Sequence, residues 1–178
     1  MYGGFAGNET ALQQRNVHAN LTTLSGEIGT ISQEDNSYTV VYTRHAGSDT
    51  EIDGFTITGG HSNGIGSIGD MKVCGGAWFN DGSNGESSPI VRNCNFLDNV
   101  ARNGAAIYNY AKSGVCNPTI ENCQFTGNSA DLDGGAIFND GNMGVCNPII
   151  NNCTFSRNAA TYGACILNVG KNGQCRPL

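Results

Sequence analysis

The chain has 178 residues, a formal net charge of -6 and 13% charged residues, about half the roughly 25% of an ordinary globular protein. With 9 Lys and Arg and no basic run, nothing is available to neutralise phosphates, which argues against nucleic acid or an anionic membrane surface as partner; no apolar stretch approaches the ~18 residues of a spanning helix. The 26 glycines and 23 asparagines are poor helix-interior residues, so bundles and coiled coils are excluded too.

Residues 1–74 form the less regular part. Met1-Tyr2-Gly3-Gly4-Phe5 has neither the basic nor the apolar segment of a signal peptide. The 8 cysteines nevertheless fit an exported protein. The chain therefore reads as a segment of a longer secreted or cell-surface protein, cut at both ends. Leu21–Gly26, Tyr38–Tyr42 and Ile52–Thr58 are predicted strands, and Ser62–Asp70 a glycine-rich surface loop. Asn8, Asn20 and Asn152 head glycosylation sequons of the kind that arise by chance in so Asn-rich a chain.

From residue 75 to 178 the sequence repeats. Three segments align: Pro89-Ile90-Val91-Arg92-Asn93-Cys94-Asn95-Phe96, Pro118-Thr119-Ile120-Glu121-Asn122-Cys123-Gln124-Phe125 and Pro148-Ile149-Ile150-Asn151-Asn152-Cys153-Thr154-Phe155. Each Phe is followed three residues later by Asn99, Asn128 or Asn158. Each block leads into a small-residue stretch such as Gly134-Gly135-Ala136-Ile137-Phe138-Asn139, and Gly75–Asn80 opens the series. The Asn-Cys cysteines lie 29 and 30 residues apart, with the extra residue near Asp131-Leu132-Asp133, where a bulge is expected.

Within each unit the period is that of strands, so Cys94/Phe96, Cys123/Phe125 and Cys153/Phe155 point to one face. Strands this short cannot bury an apolar face alone; stacked as coils they share one interior. The expected fold is an all-β parallel β-helix with coils of 29–30 residues, each including a protruding loop. Phe96, Phe125 and Phe155 should stack as an aromatic column, and Asn93, Asn122 and Asn152 as a corner ladder, since asparagine tolerates left-handed backbone.

The repeated Phe-x-x-Asn and Gly-Gly-Ala-Ile motifs resemble those of chlamydial polymorphic outer-membrane proteins and related surface proteins of the pectin-lyase-like superfamily. Tyr2–Thr10 and Ile52–Gly60 are also similar to openings of such proteins. The resemblance implies right-handed coiling and a bacterial surface location. Its motifs are corners and core positions, specific for architecture and weak for activity.

Candidate sites follow from what would stack. Cys94, Cys123 and Cys153 read as small apolar residues facing inward. Cys116, Cys146 and Cys175 recur in Gly-Val-Cys-Asn-Pro loops and their variant, where stacking brings sulfurs within reach of neighbours and makes them disulfide candidates, Cys116–Cys146 among the pairings. No cofactor is required. Asp131 and Asp133 are the candidate calcium ligands, beside the oxygen-rich loops at Asn80–Asn84 and Asn139–Asn142. The ordinary alternative there is turn chemistry. Asp81, Tyr108, Tyr110, Asp140 and Asn142 are the candidate binding residues. The loops Asp81–Ser88, Tyr110–Asn117, Asp140–Asn147 and Val169–Arg176 should align as a recognition stripe.

Catalysis has weaker support. Arg92 near Glu121 reads as a cross-coil ion pair, Asp98, Gly127 and Arg157 share another column, and His18, His45 and His61 are scattered. Neither column supplies the clustered carboxylates of a β-helix hydrolase. The expected function is a non-catalytic scaffold for adhesion or for binding a polysaccharide or surface protein. The alternatives are a polysaccharide lyase or hydrolase, and a filament element joined end to end through open coils.

Overall fold

The computed structural model describes residues 1–30 and 32–178. The first coil contributes β1 (Thr22–Ser25) and β2 (Val41–Arg44), and the second β3 (Glu51–Asp53), β4 (Phe55–Thr58), β5 (His61–Ser62) and β6 (Trp78–Asp81). The third holds β7 (Ile90–Arg92), β8 (Asn95–Leu97), β9 (Val100–Asn103) and β10 (Ile107–Tyr110). The fourth holds β11 (Thr119–Glu121), β12 (Gln124–Thr126), β13 (Ser129–Asp133) and β14 (Ile137–Asp140); the fifth holds β15 (Ile149–Asn151), β16 (Thr154–Ser156) and β17 (Ile166–Val169).

Each strand pairs in parallel with its counterpart one coil away, giving sheets in the orders β1-β4-β8-β12-β16, β2-β6-β10-β14-β17, β3-β7-β11-β15 and β5-β9-β13. The chain is thus an all-β parallel solenoid of about five turns. All four sheets run from the irregular N-terminal part into the regular repeats. The one register shift in the third and fourth coils falls between Ala130 and Asp133, where the extra residue sits.

Corners bend because the same positions adopt left-handed backbone in every regular coil. Asn93, Asn122 and Asn152 have φ of 51°, 54° and 49°, and Asp98, Gly127 and Arg157 have 51°, 69° and 55°. The first set separates β7, β11 and β15 from the strands that follow. The second set ends those strands, so the Asp98 column is a column of corners.

The interior is layered by residue type. Phe96, Phe125 and Phe155 stack at centroid separations of 4.8 Å with ring planes 3° and 6° apart, matching the strand spacing of a sheet. Ile57 and Leu24 continue this column toward the N-terminus. Facing it, Val41, Trp78, Ile107, Ile137 and Ile166 stand in register on the opposite sheet. Trp78 is 1% exposed and its indole N–H donates to Thr43 Oγ1 at 2.8 Å, as a buried indole requires.

Two interior asparagine ladders hold the coils together. Asn99 Nδ2 donates to Ile57 O at 3.0 Å and to Asn128 Oδ1 at 3.0 Å, while Asn128 Nδ2 donates to Phe96 O at 2.9 Å and to Asn158 Oδ1 at 3.0 Å. The second ladder runs Asn80, Asn109, Asn139, Asn168, with amide-to-amide distances of 3.1, 2.8 and 2.8 Å. Buried amides are tolerable here only because nearly every donor and acceptor is used. The corner set is looser: Asn152 Nδ2 donates to Asn122 Oδ1 at 2.6 Å, but Asn93 turns instead to Asp53 Oδ1 at 2.9 Å.

The excursion after β5 departs from a simple surface loop. Ile65 at its tip is 98% exposed, yet its returning end buries Val73 and Cys74 against Phe79, Tyr108 and Phe138. Those three rings lie in register on the outward side of β6, β10 and β14. A sheet that is apolar on both faces needs a cover, and the excursion supplies it as a second, smaller core.

Candidate functional site

The structure redistributes the expected binding residues. Tyr108 is fully buried under the excursion and its hydroxyl donates to Asp140 Oδ2 at 2.7 Å, so its ring is closed to any ligand. Asp140 Oδ1 accepts the Asn142 backbone N–H at 3.0 Å. Asp81 repeats this arrangement, taking the Tyr42 hydroxyl at 2.8 Å and the Ser83 N–H at 2.9 Å, with Arg44 at 3.5 Å. Both aspartates are therefore turn and cross-coil acceptors. Tyr110 and Asn142 stay partly accessible and line a notch of about 80 Å³ with Ile68 and Met143.

The four loops of the expected stripe do stack, through single bridges from Glu86 to Val115, Val115 to Val145 and Val145 to Gln174. Inside them Cys116, Cys146 and Cys175 cluster with Ala111. All eight cysteines are free thiols. Cys116, Cys146 and Cys175 donate to the carbonyls of Asn80, Asn109 and Asn139 at 3.5, 3.9 and 3.5 Å. Cys94, Cys123 and Cys153 donate to Arg92, Glu121 and Asn151 carbonyls at 3.1, 3.3 and 3.3 Å. Each of these six thiols thus meets a backbone carbonyl while filling little space. Burial pushes Cys74 up to about 11.

Asp131 is exposed and Asp133 half-buried, both at the bulge of β13. Among the described residues, no group of three or more His, Cys, Asp or Glu side chains could hold a metal ion, so the expected calcium site lacks further acidic ligands. Arg92 bridges Glu121 Oε2 at 2.9 Å and Glu51 Oε1 at 3.0 Å, extending the expected cross-coil pair to three coils. Both pairs are part-exposed and worth little individually.

The concave surface that sequence reasoning missed lies elsewhere. A hollow of about 260 Å³ is lined by Val17, His18 and Leu21 together with Asn93, Asn122, Asn152, Asn95 and Gln124. The amides belong to three successive coils, so the hollow runs along the axis. It shares Leu21, Asn95 and Gln124 with a neighbouring hollow of about 340 Å³ that adds Thr23, Thr56, Leu97 and Thr126. Neither is lined by Asp, Glu, Lys or Arg. The segment bearing Val17 and His18 is fixed to the coils by Arg15, which pairs with Asp53 at 2.6 Å and donates to Gly3 O at 3.1 Å. The available signal was the outward column Thr23, Thr56, Asn95, Gln124, Thr154, legible only once β1 is aligned with the later coils.

Residues 122–140 match the family model of the Chlamydia polymorphic membrane protein repeat. No curated protein and no solved structure matches the chain. The matched stretch holds Phe125, Asn128 and Gly134-Gly135-Ala136-Ile137 and runs from the first corner of the fourth coil to the end of β14. The chain is a β-helix repeat protein that resembles polymorphic membrane proteins. No helix among the described residues is long and apolar enough to cross a membrane.

Proposed function

We propose that this chain is the stiff shaft of a bacterial cell-surface β-helix protein that works by binding, as an adhesive scaffold, and does no chemistry of its own. The supporting observation is where its polar groups are spent. Asp81 and Asp140 close turns and accept tyrosine hydroxyls. Glu51, Arg92 and Glu121 tie three coils together. Asn99, Asn128 and the second ladder satisfy one another inside. Side chains used this way make a rigid rod, which can present a preorganised outer surface at little entropic cost on binding. The matched repeat supports a surface location.

Fluorescently labelled protein incubated with cells and isolated cell envelopes tests this reading. Saturable retention is expected; retention no greater than that of an unrelated acidic protein would count against it. Incubation with uronate polysaccharides, with and without calcium, should release no unsaturated or reducing ends. Sustained release would replace the scaffold reading with that of an enzyme.

A further inference from the structure

We infer that the axial groove formed by the two adjoining hollows binds an uncharged polysaccharide strand; this deepens the scaffold reading and rests on it. Recognition on the outside of a parallel sheet falls to side chains, because the backbone groups of inner strands are already paired between coils. An extended peptide therefore cannot add itself here as a further strand. What the groove offers instead is a lattice of amides and hydroxyls. Asn93, Asn122, Asn152, Asn95 and Gln124 line one hollow, and Thr23, Thr56 and Thr126 the next. Asn95 and Gln124 each provide two donors and one acceptor oxygen, and the corner amides add the groups left over from their bonds to Asp53 and to one another, the mixture that vicinal sugar hydroxyls require.

Charge narrows the ligand further. The lining of the two hollows holds no carboxylate, ammonium or guanidinium; His18 is its one titratable side chain. A uronate polymer, a nucleic acid or an acidic peptide would lose its hydration without finding a cation. A neutral sugar chain loses nothing of that kind. The apolar part is also present: Leu21 is 71% exposed beside the amides, available to the C–H face of a sugar ring.

Repetition supplies the third support. Equivalent amides recur once per coil, at the 4.8 Å spacing seen in the aromatic column directly beneath. A ligand that itself repeats along its length can use several of these positions at once. Asn93, Asn122 and Asn152 are held by side-chain hydrogen bonds, to Asp53 Oδ1 for Asn93 and between Asn152 and Asn122, so little side-chain freedom remains to be lost on binding.

The test is titration calorimetry of the intact chain with a neutral β-linked glucan oligosaccharide and with mannan, beside polygalacturonate. A saturable heat with at least one neutral polymer, absent with polygalacturonate, is expected. The double variant Asn95→Ala/Gln124→Ala removes two outward amides and should weaken binding by roughly tenfold or more, with an unchanged circular dichroism spectrum. Lys171→Ala, an exposed side chain outside both hollows, should bind as the parent does. No binding of either neutral polymer, undiminished binding by the groove variant, or equal binding of polygalacturonate would each overturn the proposal. If cells retain the parent and the groove variant equally, the groove assignment fails while the scaffold reading stands. A chain that binds glucan in solution but is not retained by cells does the reverse.

Discussion

Asparagine does three different jobs in this molecule, and the differences are set by position. At Asn93, Asn122 and Asn152 it is a corner residue chosen for its tolerance of positive φ. At Asn99 and Asn128 it is a buried connector between coils. On the outward face Asn95 is a surface amide lining both hollows. Replacing Asn128 with Ala removes the acceptor of two Asn99 hydrogen bonds and the donor to Phe96 O. Leaving such buried groups unpaired should cost about 3 kcal/mol or more, read as a lower urea midpoint.

Tyr108 carries the clearest pH signature. Burial, reinforced by the Asp140 carboxylate, pushes its phenol far above the ordinary 10.0. The folded chain keeps a proton that the unfolded chain releases near pH 10. Stability is therefore complete below that value and falls as the pH rises through and beyond it. Urea midpoints should drop steeply above about pH 10. In Tyr108→Phe that alkaline drop should be shallower, from a lower starting value at neutral pH because Asp140 Oδ2 loses its buried donor. An equally steep drop in both proteins would show that Tyr108 is not its source.

Elements here are too short to stand alone, and their stability comes from register. Strands of two to five residues are held by partners on either side and by like residues above and below. Phe125 is the centre of its column, contacting Phe96 and Phe155 in parallel-stacked geometry. Phe125→Ala should cost roughly 3–5 kcal/mol by opening a cavity that the rigid coils cannot close, with Phe125→Leu losing clearly less. The excursion over β6, β10 and β14 follows the same economy of apolar surface. Phe79, Tyr108 and Phe138 were legible as an aligned column, but their alternation placed them outward. Their cover comes from Val73 and Cys74, in a stretch with no repeat to announce it.

At the scale of the whole molecule, contacts between strands join each coil to its immediate neighbours, so stability is close to a sum over coils and interfaces. A chain ending after Asn147 should still fold cooperatively, with a urea m value lower by roughly a sixth. Collapse of the whole chain on losing this coil would mean that the interfaces are less independent than the contacts indicate.

The repeat itself determined the coil length, the inward Phe and Cys columns, the Asn corners and the bulge at Asp131–Asp133. Those features depend on residue type recurring at a fixed interval, which a linear string records directly. Tertiary structure alone decided which outward residues remain outside. It put Tyr108 under a loop, spent both oxygens of Asp81 and Asp140, and laid residues 12–21 beside an amide lattice several coils away in sequence. Such placements are set by irregular segments, whose packing has no period to read, and it is there that the candidate binding surface lies.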